Sequence, residues 1–154
     1  MIGVPDTQVA DQVMAYIAGA RWFAGKGRLV TLRSLTPLPW LNEVSDFFAD
    51  RAPAVRVEIA EVEYPVEEDP DDPEAVEDPA WAGGPGQPVT PDANGPREFY
   101  QLAVSYRSAP HPDLHYGEIA RITHPELGSV VAYDAARDPE ACTVLLRRCC
   151  RRSA

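Results

Sequence analysis

Cysteine is scarce in this sequence of 154 residues, and its placement does not suggest disulfide bonds. The three cysteines are Cys142, Cys149 and Cys150, an odd number gathered near one end. Such a set does not predict a disulfide framework, and a reduced, cytoplasmic setting fits it best. No apolar run approaches the roughly 18 residues of a transmembrane helix. The opening segment MIGVPDTQ lacks the features of a signal peptide. We therefore expect neither a membrane partner nor a secreted protein.

Basic residues are missing from one long stretch: residues 61–96 contain eleven acidic residues and no Lys or Arg. The formal net charge of −10 therefore comes from this stretch. Residues 65–96 also hold eight of the sixteen prolines. A segment so poor in apolar residues cannot offset the entropy of ordering. We predict one domain spanning residues 1–154, interrupted at about 65–96 by a disordered, acidic, proline-rich insertion between two strands. The acidity argues against nucleic acid as a partner.

The remaining sequence predicts an α+β fold. Asp6 can cap a first helix, whose apolar residues recur at helical spacing from Val9 to Ala20. Alternating patterns predict about five strands, at 29–35, 55–59, 99–107, 118–122 and 130–133. In the second of these, Val55, Val57 and Ile59 are expected to form the buried face. In the third, one face is expected to be made by Tyr100, Leu102, Val104 and Tyr106. Asp138-Pro139 predicts a C-terminal helix, with Asp as cap and Pro at its first position. The expected architecture is a curved antiparallel sheet packed on the N-terminal helix; residues 40–48 stay ambiguous.

The turn after the first helix, Arg21 to Arg28, combines two aromatic residues, two glycines and three cations. A phosphate-binding P-loop lies between a strand and a helix and carries a hydroxyl residue. This turn has the reverse order and lacks the hydroxyl. We expect its residues to play the following parts instead. Glycines Gly25 and Gly27 allow a tight turn with positive φ, Trp22 and Phe23 anchor it in the core, and the cations Arg21, Lys26 and Arg28 face water or acidic groups.

A polar segment from His111 to Glu118 resembles the H-G-D-L-H-x-x-N catalytic loop of aminoglycoside-phosphotransferase-like kinases. In that loop the Asp, here Asp113, serves as base and the final amide holds magnesium. Pro112 replaces the glycine and Glu118 replaces the amide. Fewer than forty residues follow, without a convincing metal-binding D-F-G. We predict a polar loop between strands, with no catalytic or cofactor-binding residue.

Metal binding is not predicted either. The three cysteines and the histidines His111, His115 and His124 lack the spacing of a zinc site. Cys142 and Cys149 lie seven residues apart on one face of the predicted helix. They are expected to be small core residues.

Two segments taken together resemble one family. ARWFAGKGR after an amphipathic helix resembles the start of actinobacterial maltokinases, the ATP-dependent kinases that phosphorylate maltose, and of related aminosugar kinases. A second segment, HYGEIARITHPELGSVVAYDAARDPEACTVLL, resembles the close of the maltokinase N-terminal cap domain and of stand-alone cap-like proteins. Together with the Y-R pair before it, its matching positions are Tyr106, Arg107, His124, Leu127, Gly128, Tyr133, Asp134, Asp138 and Pro139.

The resemblance implies a cystatin-like fold, a curved antiparallel sheet wrapped on a helix. In the kinases this cap precedes the catalytic domain and packs by its nucleotide lobe. The phosphate loop, catalytic Asp and magnesium ligands of that domain have no counterpart in the sequence. The resemblance therefore implies a non-catalytic structural or regulatory module. It would dock on a kinase or another enzyme of α-glucan, trehalose or aminosugar metabolism.

No cofactor is expected for this chain, since ATP and magnesium would enter only with a kinase domain supplied elsewhere. One alternative is the N-terminal part of an ATP-dependent maltose or aminosugar kinase missing its catalytic lobes. Another is an enzyme acting through His111, Asp113 and His115. The oligomeric state is not predicted. Contacts to a partner are expected from the acidic segment and from the family motif residues Arg21, Trp22, Phe23, Gly25, Lys26, Gly27, Arg28, Tyr133, Asp134, Asp138 and Pro139.

Overall fold

A computed structural model describes residues 6–65 and 95–150. The predicted α+β class is confirmed: an N-terminal helix, five antiparallel strands and a C-terminal helix follow one another. The predicted insertion at about 65–96 lies almost wholly outside the described residues. The elements are α1 (Thr7–Gly19), β1 (Thr31–Pro37), α2 (Val44–Phe48), β2 (Ala54–Glu63), β3 (Arg97–Arg107), a 3₁₀ helix (Pro112–Gly117), β4 (Glu118–His124), β5 (Gly128–Asp134), a 3₁₀ turn (Ala135–Arg137) and α3 (Pro139–Cys150).

Helix α1 begins where the sequence predicts. The backbone N–H of Gln8 donates to Asp6 Oδ1 at 3.0 Å, so Asp6 caps the helix as expected. Its apolar stripe buries Val13 and Ile17 against the inner face of the sheet. The helix ends at Gly19, and Ala20 is already extended. No helix in the described part of the chain is long and apolar enough to cross a membrane.

The sheet has the order β1-β2-β3-β5-β4, and all neighbours are antiparallel. β2 and β3 form its longest ladder, pairing residues 54–63 with 97–106. The predicted inner face of β3 is confirmed, because Leu102, Val104 and Tyr106 are buried in the main core. β5 pairs with β3 only at residues 104–107. Within the described ranges, residues 97–103 are therefore bonded to a strand on one side only.

The buried face predicted for β2 is wrong. Ala54, Glu58, Ala60 and Val62 point into the main core, whereas Val57 and Ile59 lie half-buried on the outer face. Only the first apolar residue of the predicted set is buried, because α3 covers Val55 on that side. The strand has apolar residues on both faces, so its alternation alone does not decide which face turns inward.

Helix α3 packs on the outer face of the sheet. Ala141 is fully buried beside Val55, and Val144 and Leu145 pack against them. Cys142 is half-buried, but Cys149 is exposed, so the expectation of a core residue is wrong there. The physical reason is that α3 touches the sheet through its first half, while its last turn extends into solvent with Arg147 and Arg148.

Candidate functional site

The Arg21–Arg28 turn places its two aromatic residues differently. Phe23 is buried, as predicted, and its ring meets Tyr100 edge-on with centroids 5.5 Å apart. Trp22 is 47% exposed, so its predicted place in the core is wrong. Its ring packs on that of Tyr100 at a tilt of 41°, with centroids 5.4 Å apart. The side chains of adjacent residues point in different directions. The Phe23 side chain points into the core, so the Trp22 side chain lies on the surface.

The two glycines serve different purposes. Gly27 has φ +78°, which confirms the predicted positive φ. Gly25 does not have one. A Cβ at Gly25 would lie 2.7 Å from Cζ of Phe23 and 2.5 Å from the hydroxyl of Tyr64, so this glycine allows close packing of the turn on two rings.

The cations of the turn also differ. The Arg28 guanidinium lies 4.3 Å above the centre of the Tyr64 ring. The hydroxyls of Tyr64 and Tyr100 both donate to Glu98 Oε2, at 2.7 and 2.5 Å. These two hydrogen bonds lower the pKa of Glu98. Two further cations, Arg21 and Lys26, are exposed and form no ion pair with any residue that the structure describes.

The motif residues near the C-terminus are engaged inside the fold. Asp138 is fully buried and receives hydrogen bonds from Arg107 Nη2 at 2.7 Å and Ser105 Oγ at 2.9 Å. Burial raises the pKa of the Asp138 carboxyl, but the hydrogen bonds from Arg107 and Ser105 outweigh burial and lower it overall. Asp138 Oδ1 also accepts from the backbone N–H of Glu140 at 3.1 Å, which confirms the predicted helix cap.

Two neighbouring motif residues also form hydrogen bonds within the fold. Tyr133 is 1% exposed, and its hydroxyl accepts the backbone N–H of His111 at 2.9 Å. Asp134 Oδ2 accepts from the hydroxyl of Tyr16 at 2.5 Å, which ties the end of β5 to α1. These side chains therefore join strands to helices through hydrogen bonds within the fold.

A buried polar cluster was missed by the sequence reasoning. Arg56 Nη2 lies 2.9 Å from Glu58 Oε1, and the Tyr106 hydroxyl donates to the same oxygen. Arg56 Nη2 also lies 2.9 Å from His124 Nε2. Trp40 covers the cluster, with the guanidinium 4.4 Å from its ring centre. Burial and the charge of Arg56 lower the pKa of His124.

His124 closes the β4–β5 hairpin with its second nitrogen. Nδ1 accepts from the backbone N–H groups of Glu126 and Leu127, at 3.1 and 3.3 Å. Gly128 follows with φ +78°. A protonated Nδ1 could not accept these bonds, and the Arg56 guanidinium lies beside Nε2, so the surroundings of His124 disfavour the charged ring. The segment with His124, Leu127 and Gly128 therefore forms the turn of the β4–β5 hairpin.

A family model described as the maltokinase N-terminal cap domain matches residues 16–138. The chain belongs to this family. The match begins within α1 and ends at the cap of α3, so it contains the whole sheet, the first segment of the resemblance and the second segment as far as Asp138. No curated protein matches the chain.

The kinase-like loop of this cap domain forms a 3₁₀ helix over Pro112–Gly117. His111 Nδ1 accepts the backbone N–H of Asp113 at 3.3 Å, and His115 Nδ1 lies 2.8 Å from the carbonyl oxygen of Pro112. Asp113 itself is exposed. Residues 6–65 and 95–150 contain no group of three His, Cys, Asp or Glu side chains arranged to hold a metal ion.

The structure thus divides the motif residues of the cap domain into two sets. The first set is built into the fold. Its members are Phe23, Gly25, Tyr133, Asp134 and Asp138. The second set lies on the surface of one turn. It contains Arg21, Trp22, Lys26, Gly27 and Arg28. The remaining motif residue, Pro139, is exposed at the first position of α3.

Proposed function

We propose that this chain is a non-catalytic cap module that docks on a kinase domain, or on another enzyme of α-glucan, trehalose or aminosugar metabolism. The observation that carries the proposal is the exposed surface of the Arg21–Arg28 turn. Trp22 is 47% exposed and Leu29, directly after the turn, is 83% exposed. The cations Arg21 and Lys26 form no ion pair with residues of the described ranges 6–65 and 95–150. Tryptophan, tyrosine and arginine are the residue types most enriched at binding hot spots, where the surrounding contacts exclude water.

The polar groups take part in hydrogen bonds and ion pairs within the fold, which supports a non-catalytic role. Catalytic acids and bases need a perturbed pKa and access to a substrate. The acids and histidines with shifted pKa values in the described residues, such as Asp138 and His124, are buried or paired within the fold. Asp113 is accessible, but its neighbours His111 and His115 are turned to the backbone of their own loop.

Binding to a maltokinase catalytic region prepared without its own cap tests the proposal. We expect saturable one-to-one binding in isothermal titration calorimetry. Trp22→Ala and Lys26→Glu together should weaken it at least about tenfold. Tyr116→Ala is the matched control, since this aromatic residue is 79% exposed and lies on the 3₁₀ helix, outside the turn. Absence of binding, or equal affinity of all variants, would contradict docking through the turn.

A second candidate function is the N-terminal part of an ATP-dependent maltose or aminosugar kinase. The match to a kinase cap domain over residues 16–138 favours it. The size of the native polypeptide separates the two candidates. An immunoblot of the source cells at about 16.9 kDa supports the separate module, and a much larger band supports the kinase.

A further inference from the structure

One of the two strands beside β3 pairs with only part of its length. β3 pairs with β2 along residues 97–106, but with β5 only along 104–107. β5 ends at Asp134, whose Oδ1 accepts the N–H of Ala136 at 2.9 Å and turns the chain towards α3. In the described part of the chain, residues 97–103 consequently have no strand on their second side. Their outward backbone N–H and C=O groups therefore lack a strand partner among the described residues.

The two outer edges of the sheet carry features that hinder such pairing, whereas this inner edge carries charges only at its start, at Arg97 and Glu98. β1 carries a bulge between Leu32 and Ser34 and ends at Pro37. β4 carries a bulge after Glu118 and an exposed Arg121. Bulges, prolines and charges are the usual means of preventing edge-to-edge association. The stretch FYQLA at 99–103 has no charge, proline or bulge.

A small cleft opens where β3 and β5 diverge. It has a volume of about 60 Å³, and Gln101, Leu102 and Ala103 line one side of it. Ile119 and Asp134 line the other side, and Trp22 is also among its walls. The edge is thus bordered by the same tryptophan that dominates the exposed turn.

We propose that residues 97–103 of β3 accept an extended segment of the partner protein as an additional strand. The inference rests on the proposed docking function and names its site. Backbone hydrogen bonds to the edge give affinity, and side chains on alternating faces give specificity. One face offers Trp22 on Tyr100, and the other offers Phe99, which is 66% exposed.

The occupant is a partner segment with apolar residues at alternate positions and an acidic residue at one end. Alternate positions of an extended segment share one face, so the apolar positions match Trp22 and Tyr100 on one face of the edge. The acidic end matches the exposed Arg21 beside Trp22 and Lys26 in the same turn, neither of which has an ion-pair partner among the described residues.

The test uses the full chain and a defined probe, a nine-residue peptide of alternating valine and threonine with aspartate at each end. Hydrogen exchange should show that roughly half of the amides at 97–103 exchange fast in the free chain and slow down with peptide. Trp22→Ala should weaken peptide binding at least about tenfold, and Tyr116→Ala should leave it unchanged. The same peptide with proline at its centre should not bind.

Three results would overturn the inference. The first is that the amides at 97–103 already exchange as slowly in the free chain as those at 104–107. Either the chain itself or a second copy would then cover the edge, and sedimentation equilibrium distinguishes these two cases. The second is equal binding of the proline peptide. The third is binding of the maltokinase catalytic region with unchanged exchange at 97–103, in which case docking stands and this site fails. Conversely, protection by the peptide without binding of the catalytic region supports the edge and counts against the proposed function.

Discussion

Replacement of Asp138 tests whether a family motif residue holds the fold together or serves a partner. Asp138 is fully buried and binds Arg107 through two nitrogens, Nε at 2.9 Å and Nη2 at 2.7 Å. It also binds Ser105 and caps α3. Asp138→Ala removes all of these contacts together. Arg107 would keep only Glu140, whose side chain is 58% exposed.

The expected cost follows from this geometry. Breaking a buried ion pair costs about 3–5 kcal/mol, because one charge stays buried without its partner. Loss of a helix cap costs about 1 kcal/mol and overlaps with that figure, so the two values are not added. The remaining contact of Arg107 with Glu140 favours the lower end. We expect the free energy of unfolding to fall by about 3 kcal/mol, which corresponds to a urea midpoint lower by roughly 1–3 M.

Two control variants sharpen the measurement. Asp138→Asn keeps a good cap residue but loses the charge, so it should fall between wild type and Asp138→Ala. Glu140→Ala removes an exposed partner of Arg107 and should cost less than about 1 kcal/mol. If Asp138→Ala changes stability by less than about 1 kcal/mol but abolishes partner binding, Asp138 serves a partner, and the structural reasoning is refuted.

Three further predictions concern His124, the paired aromatics and the insertion. The native state disfavours the charged form of His124, whose pKa is lowered below 6.5. The unfolded chain then binds the proton more readily, and stability falls as the pH drops below that value, by at most about 1.4 kcal/mol per unit. Urea titrations across pH should show a flatter slope for His124→Asn but not for His115→Gln; equal slopes would refute it. Phe23→Ala should cost about 3–5 kcal/mol in the same assay and Trp22→Ala clearly less, since Phe23 alone is buried; a reversed order would contradict the placement of the rings. Deletion of residues 67–91 should move the thermal midpoint by only a few degrees, because closure entropy grows slowly with loop length; collapse of the fold would show that the segment packs.

Local chemistry made part of the fold predictable. Asp6 and Asp138-Pro139 predict helix starts correctly, because the interactions of a helix cap reach only two or three residues along the chain. The strong alternation of apolar and polar residues along β3 likewise predicted which face of the strand turns inward. The motif segments also predicted the family, which the match over residues 16–138 confirms.

The errors lie where distant residues decide the outcome. Glu58 turns inward because Tyr106 from β3 and Arg56 satisfy its carboxylate, and neither the hydroxyl nor the covering Trp40 could be placed from the β2 sequence. Trp22 and Phe23 are adjacent aromatics, and only the packing of Tyr64 and Tyr100 shows which one is enclosed. The open edge of β3 depends on where β5 ends relative to it, which is a matter of register between strands.

The most direct test of the central proposal, a cap module without chemistry, is ATP turnover by the purified full chain. A coupled assay with maltose and with glucosamine, in the presence of magnesium, should give the rate of the buffer blank for wild type and for Asp113→Ala alike. Turnover above the blank by wild type that is lost in Asp113→Ala would contradict the account and make the 111–118 loop an active site.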